Sequence, residues 1–206
     1  MKTKNGLLLL LLLPALLGCS KRKVDDIFDK LIPPAPPVTL PAITQVGANT
    51  FGCLVDGKVW EAKNGPTSFI GNNYSPNAYY SRRELRLYAF WRPESGGSIT
   101  AFYLTLPRVV GPGVYSLGGP GALPGTAHLQ GLPNPTVLPY ATDATHVGTL
   151  TITRLDTVGS VSKAFVAGTF ELRAGTQSNP GGNVPPPTPA EVVVTSGRFD
   201  VELNRR

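Results

Sequence analysis

The sequence predicts an all-β fold, and three observations lead to that prediction. No apolar pattern with a 3.6-residue period continues for ten residues, so no long helix is expected. Short β-rich runs with alternating apolar residues recur along the chain instead. The 23 glycines and 21 prolines lie mainly between those runs, where an all-β domain has its turns. We therefore expect an antiparallel β-sandwich or an up-and-down barrel of about seven to nine strands.

The first 18 residues have the layout of an export signal. Lys2 and Lys4 precede an apolar run, Leu7–Leu17, which is too short to cross a bilayer as a helix. The run ends in Leu16-Leu17-Gly18-Cys19, which resembles a bacterial lipobox. We expect cleavage before Cys19 and a diacyl or triacyl anchor on its thiol, so that the chain reaches the membrane through a lipid. Ser20 is compatible with delivery to the outer membrane.

The sequence divides into three parts. Residues 1–18 are the expected signal peptide, residues 19–42 the lipidated cysteine with a tether, and residues 43–206 the β domain. Five of the residues in 33–41 are prolines, which favour extended polyproline geometry and give a semi-rigid spacer. One domain of ordinary single-core size remains.

Charge and cysteine content exclude several classes of function. The formal charge of +6 falls to +4 when Lys2 and Lys4 leave with the signal, and no long Lys/Arg stripe remains. Nucleic acid is therefore not expected as a partner. If Cys19 is lipidated, Cys53 has no partner within the chain, so no disulfide framework is expected. Cys53 is expected to be a small buried residue.

The clearest local signal is a hairpin in residues 49–62. Asp56-Gly57 stands between two β-rich runs, and this dipeptide favours a type I′ turn. A two-residue turn there pairs Val55 with Lys58 and Cys53 with Trp60.

A second hairpin is expected from 84–92 and 98–106, with a turn at 93–97. Residues 64–83 are interpreted as a turn-rich connection. Residues 111–140 are the least regular stretch, in which only Val114–Leu117 has strand character.

Three more strands complete the domain, at 147–156, 162–173 and 191–203. Ser196-Gly197 is expected to form a bulge in the last of them. Alternation places the following side chains in one core: Phe51, Trp60, Leu87, Ile152, Phe170 and Phe199. Trp91 alternates with leucines and is expected in the core as well.

Several of these runs resemble a known family. They are 44–60 (TQVGANTFGCLVDGKVW), 142–153 (TDATHVGTLTIT), 168–170 (GTF) and 195–200 (TSGRFD). Together they are similar to an uncharacterised lipoprotein family of Bacteroidetes-type bacteria, a domain of unknown function. The resemblance implies an envelope-anchored β domain, and it implies no activity and no catalytic residues.

The sequence offers little chemistry of a catalytic kind. Asp143 and His146 are three residues apart, but a zinc site needs three or four ligands, and His128 is the only other imidazole. A capped turn before a strand is the favoured interpretation. No nucleophile elbow is present, and the carboxylates fall mostly in turns or on outward strand positions. We expect no enzyme, no cofactor and no metal, and a hydrolase is the weaker alternative.

A binding or structural role is therefore favoured, with a glycan or another envelope protein as the alternatives for the partner. Exposed loops on a rigid β scaffold usually carry binding residues. Tyr79, Tyr80 and Tyr140 are the candidate ligand-binding residues, expected to be accessible and close together. A wider aromatic platform for sugars would draw on Tyr88, Trp91 and Tyr103 too. In that case the domain is a surface glycan-binding module on the outer membrane.

Overall fold

The structure is a computed structural model that describes residues 39–63, 75–92, 99–132, 139–157, 164–177 and 190–204. The signal peptide and Cys19 lie outside the described residues. Residues 39–206 form one compact unit, which begins four residues before the expected boundary. Within the described ranges, no helix has the length and apolar character needed to cross a membrane.

The described residues form eleven β-strands. In chain order they are β1 Thr50–Val55, β2 Lys58–Glu61, β3 Asn77–Ser81, β4 Glu84–Trp91, β5 Thr100–Leu106, β6 Gly113–Leu117, β7 Thr126–Gln130, β8 Tyr140–Ala141, β9 Gly148–Asp156, β10 Phe165–Thr176 and β11 Glu191–Glu202.

These strands form one antiparallel sheet that curls into a half-barrel. Nine of them are hydrogen-bonded neighbours in the order β2-β1-β11-β10-β8-β7-β5-β4-β3. The other two form a branch, in which β9 pairs with β10 and β6 pairs with β9. A bridge between Ala78 and Leu203 brings β3 to the chain just after β11. The all-β, antiparallel class is confirmed, and the curled sheet is closer to the barrel than to the sandwich.

Both predicted hairpins are present, and the first has the expected register. Val55 pairs with Lys58 and Cys53 with Trp60, on either side of the Asp56-Gly57 turn. Both turn residues have positive φ, as a type I′ turn requires. β4 and β5 pair from Leu85–Leu106 to Trp91–Thr100. The expected turn at 93–97 lies outside the described residues.

Two stretches expected to be irregular contain strands. β3 lies in the stretch interpreted as a connection, and β7 and β8 lie in the 111–140 stretch. β3 pairs with β4 along its whole length, and β7 pairs with β5. These short runs are strands because neighbouring strands supply their hydrogen bonds, and single-sequence patterns do not show such long-range pairing.

The bulge at Ser196-Gly197 is confirmed. Gly52 pairs with Arg198 while Leu54 pairs with Thr195, so two residues of β11 face one residue of β1 there. Ser196 adopts the left-handed region, with φ of 53°. The bulge bends β11 where it lies between β1 and β10.

One hydrophobic core fills the inside of the curled sheet. All six predicted core side chains, Phe51 to Phe199, belong to it. One of the six is Trp60, whose buried indole donates a hydrogen bond to the Thr100 hydroxyl at 2.8 Å. Trp91 is different: it is 36% exposed, so its predicted burial is wrong. It is the last residue of β4, where the sheet no longer covers the inward position.

Candidate functional site

The three tyrosines predicted to form a binding surface do not lie together on one. Tyr140 is 0% exposed and belongs to the core, because β8 lies between β7 and β10 in the sheet. Burial raises the pKa of its phenol. Tyr80 packs against the core and donates its hydroxyl to the Val109 carbonyl at 2.8 Å. Tyr79, on the opposite face of β3, is the only one of the three that points outward. The expectation that all three are accessible is corrected.

Tyr79 instead begins a row of tyrosines on the outer face of β3, β4 and β5. Its ring lies 5.8 Å from that of Tyr88, and the Tyr88 ring lies 5.7 Å from that of Tyr103. Both contacts are edge-to-face, which is a favourable arrangement for aromatic rings. Tyr103 is 37% exposed. We call Tyr79, Tyr88 and Tyr103 the tyrosine row.

Polar side chains flank the tyrosine row. His128 on β7 pairs directly with Tyr103 across the sheet, and Arg86 pairs with Tyr79. The Glu84 carboxylate accepts a hydrogen bond from the Arg86 guanidinium and, with the Tyr88 hydroxyl, raises the pKa of Arg86. The outer face therefore combines flat aromatic surface with donors and acceptors. The alternation of 84–92 and 98–106 contains this information, since Tyr88 and Tyr103 both fall on the face opposite the inward-pointing leucines of their strands.

Asp143 and His146 form a capped turn. The Asp143 carboxylate accepts from the amides of Thr145 and His146, at 2.7 and 2.8 Å, and lies 2.9 Å from the His146 Nδ1. Hydrogen bonds from His146 and Thr145 hold the pKa of Asp143 far below its usual range. The turn leads into β9, as the sequence predicts.

This turn rests against the start of β11. The His146 ring lies over Gly175, where an added Cβ would come within 2.5 Å of Nδ1. Its Nε2 is 3.8 Å from Glu191, which also pairs with Arg173. Across the described ranges, no three His, Cys, Asp or Glu side chains are placed to hold a metal ion. The arrangement packs the turn against β10 through the His146 ring.

Asp200 is the most deeply buried charged side chain among the described residues, at 1% exposure. Its carboxylate accepts from the Thr44 hydroxyl at 2.6 Å and from the amides of Val46 and Gly47 at 2.9 and 2.8 Å. Burial raises the pKa of Asp200, but these bonds outweigh it and lower the pKa overall. Two of the runs that carry the family resemblance, 44–60 and 195–200, therefore meet at one buried carboxylate.

Cys53 is fully buried in the core, as expected. Burial raises the pKa of its thiol strongly. A thiol of high pKa in an apolar site is a poor nucleophile. The side chain therefore acts as a small apolar group facing Trp60.

Two shallow grooves lie on the outer face of β6, β9, β10 and β11. The first, of about 430 Å³, is lined by Ile43, threonines of β9 and β10, and Arg198. The second, of about 580 Å³, lies beside the Gly/Pro-rich segment and is lined by Arg108, Val114, Leu123 and Val147 among others. Thr149 lines both, so the grooves adjoin.

Comparisons with family models, with curated proteins and with solved structures found no match to this chain.

Proposed function

We propose that this protein is an outer-membrane lipoprotein, anchored through Cys19, whose β domain binds a partner and does not catalyse a reaction. The run Leu16-Leu17-Gly18-Cys19, behind a short apolar segment and before a proline-rich tether, carries the proposal. Membership in the Bacteroidetes-type family is part of the same proposal. Localisation in the cell envelope follows from the anchor.

The absence of catalysis is supported by how the acidic side chains are engaged. Asp56 accepts from the Val193 amide at 2.9 Å, and Asp143 and Asp200 hold backbone amides. Other carboxylates form ion pairs with near neighbours: Glu61 with Lys63, Glu84 with Arg86, Asp156 with Arg154 and Glu191 with Arg173. Hydrogen bonds lower the pKa of Asp143, Glu191 and Asp200, which makes these three carboxylates weaker bases.

Fatty-acid labelling of cells tests the anchor. Wild-type protein is expected to incorporate a clickable palmitate analogue and to partition into detergent, whereas Cys19→Ala is expected to do neither. Cys53→Ala is the matched control, since it also removes a thiol and should retain the label. Labelled Cys19→Ala protein, or an unlabelled wild-type chain that still partitions into detergent, would contradict the proposal.

A surface glycan-binding module is the second candidate, and the tyrosine row favours it. Pyranose rings present apolar C–H faces that pack on aromatic rings, while their hydroxyls need hydrogen-bond partners. The outer face offers both, because His128 and Arg86 stand beside Tyr103 and Tyr79. Sugars would lie across β4 and β5 rather than at the loops.

Binding of the full-length lipidated protein to immobilised polysaccharides tests this candidate. Tyr88→Ala and Tyr103→Ala are each expected to weaken binding about tenfold, which corresponds to about 1.4 kcal/mol. Leu123→Ala is the control, because it removes an exposed apolar side chain away from the row. Equal binding by all variants would remove the tyrosine row from the site. Loss of binding in the control alone would place the site at the second groove.

A further inference from the structure

Four of the nine large hydrophobic side chains that are exposed among the described residues line the grooves on the outer face of β6, β9, β10 and β11. Ile43 is 61% exposed, Val114 70%, Leu123 54% and Val147 43%. Ile43 lines the first groove and the other three line the second, and Thr149 joins the two. We call these four side chains and the two grooves the tether face. Single exposed aliphatic residues are ordinary, but a contiguous group on one face marks a contact surface.

The start of the described chain lies on this same face. Pro41 packs over Gly52 so closely that an added Cβ would meet its Cδ at 2.6 Å. The Arg198 guanidinium donates to the Pro41 carbonyl at 3.3 Å, and Arg198 lines the first groove. The tether therefore joins the domain at the edge of the tether face.

Chain length limits how far the domain stands from its anchor. Nineteen residues, 20–38, separate Cys19 from Thr39. At about 3.1 Å per residue they reach at most about 60 Å. Such a tether keeps the domain at high effective concentration near the bilayer, so even a weak contact with lipid is frequently occupied.

The chemistry of the face fits a bilayer surface. Aliphatic side chains partition into the boundary between headgroups and acyl chains, and cationic side chains add attraction to anionic headgroups. Arg108 and Arg198 line the grooves, with Glu171 as an acidic side chain among the same lining residues.

We propose that the tether face lies against the membrane that holds the lipid anchor, with Val114, Leu123 and Val147 in the headgroup layer. This inference rests on the proposed anchor at Cys19. The tyrosine row is carried by other strands, β3, β4 and β5.

Site-specific fluorescence in vesicles tests the inference. Full-length lipidated protein is reconstituted into vesicles of phosphatidylethanolamine and phosphatidylglycerol, with a polarity-sensitive thiol dye at Val114→Cys or Leu123→Cys. Gln130→Cys, exposed at the end of β7 that is farther along the strand from the second groove, is the matched control. Buried Cys53 reports on folding, because it stays unreactive toward the dye while the core is intact. A lipid-borne quencher is expected to quench the dye at Val114 and Leu123 at least about twofold more than at Gln130.

Each other outcome contradicts the inference in a distinct way. If the protein floats with the vesicles but the dye is quenched equally at all three positions, the membrane-facing orientation is overturned while the proposed anchor stands. If the dye emission shifts to the blue as protein density in the vesicle rises, the face contacts a second copy of the chain. That result also overturns the membrane-facing orientation. A chain that does not float with the vesicles overturns the anchor itself, and the orientation with it.

Discussion

At the scale of single residues, Asp200 illustrates how a buried charge fixes the position of the segment before β1. Its carboxylate holds Thr44, Val46 and Gly47, which precede β1, against the end of β11. An ionised group out of water is costly unless hydrogen bonds replace its hydration. Here four donors do so, because the Ala48 amide joins the three already named, and the segment that leads to the tether is fastened to the last strand.

Asp200→Asn is expected to destabilise the domain by about 1.5–3 kcal/mol, the usual contribution of hydrogen bonds to a charged group. The amide keeps the size of the side chain but has one acceptor atom in place of two. Urea denaturation measures the change as a lower midpoint at constant slope. Asp156→Asn is the control: its partner is the exposed Arg154, so a change within about 0.5 kcal/mol is expected. Equal effects of the two variants would mean that the Asp200 bonds contribute little.

The same group predicts a dependence of stability on pH. Folding lowers the pKa of Asp200 below its value of about 3.9 in an unfolded chain. Its contribution is therefore complete at pH values above the unfolded pKa, and is lost as the pH falls through the native pKa. The gap in unfolding free energy between wild type and Asp200→Asn should narrow in acid. A gap that stays constant from neutral pH into strong acid would contradict this assignment.

At the scale of strands, the packing of β9, β10 and β11 depends on a glycine. Gly168 lies between its partners Ile152 and Phe199. The Phe199 ring covers it, so that an added Cβ would lie 2.7 Å from the Phe199 Cζ and in conflict with the Thr151 carbonyl oxygen. No rotamer relieves a clash with backbone. The glycine therefore allows a core aromatic ring to lie across the middle of the sheet.

Gly168→Ala is expected to cost about 1–3 kcal/mol, as overpacking of a core does, or more if the sheet cannot shift. Thermal unfolding followed by circular dichroism measures the cost. Gly111→Ala is the matched control, because an added Cβ there meets nothing within 4 Å. An unchanged melting temperature in Gly168→Ala would show that β9 and β10 separate easily at this point.

The sequence predicts the strands unevenly, for a physical reason. The individual residue pairs of the 49–62 hairpin are predicted correctly, because the Asp56-Gly57 turn sets the register locally. By contrast, β11 lies between β1 and β10, a non-local arrangement that no local pattern reveals. The burial of Tyr140 has the same origin: β8 is two residues long, and it is covered because β7 and β10 flank it. Alternation places Trp91 on the same face as the leucines of β4. How much of a side chain is buried at a strand end depends on the residues packed around it, and alternation does not show them.

At the scale of the whole molecule, one aromatic cluster joins distant parts of the sheet. Phe170 on β10 lies 5.0 Å from Phe51 on β1 and 6.2 Å from Phe102 on β5, between ring centroids. Its ring is also 6.4 Å from that of Phe199 on β11. These strands come from the beginning, middle and end of the chain. The cluster therefore joins these strands across the inside of the curled sheet.

Phe170→Ala is therefore expected to bring the domain to the edge of unfolding. Removing a buried phenylalanine ring costs about 3–5 kcal/mol, against a total stability of about 5–15 kcal/mol for a typical domain. Chemical denaturation measures the loss, and reactivity of the buried Cys53 thiol gives an independent readout, since core opening exposes it. Phe90→Ala is the matched control, because Phe90 lies half-buried on the outer face of β4 and makes no contact with this cluster. Equal, small losses in both variants would mean that the curled sheet is held by its hydrogen-bonded edges and not by the aromatic cluster.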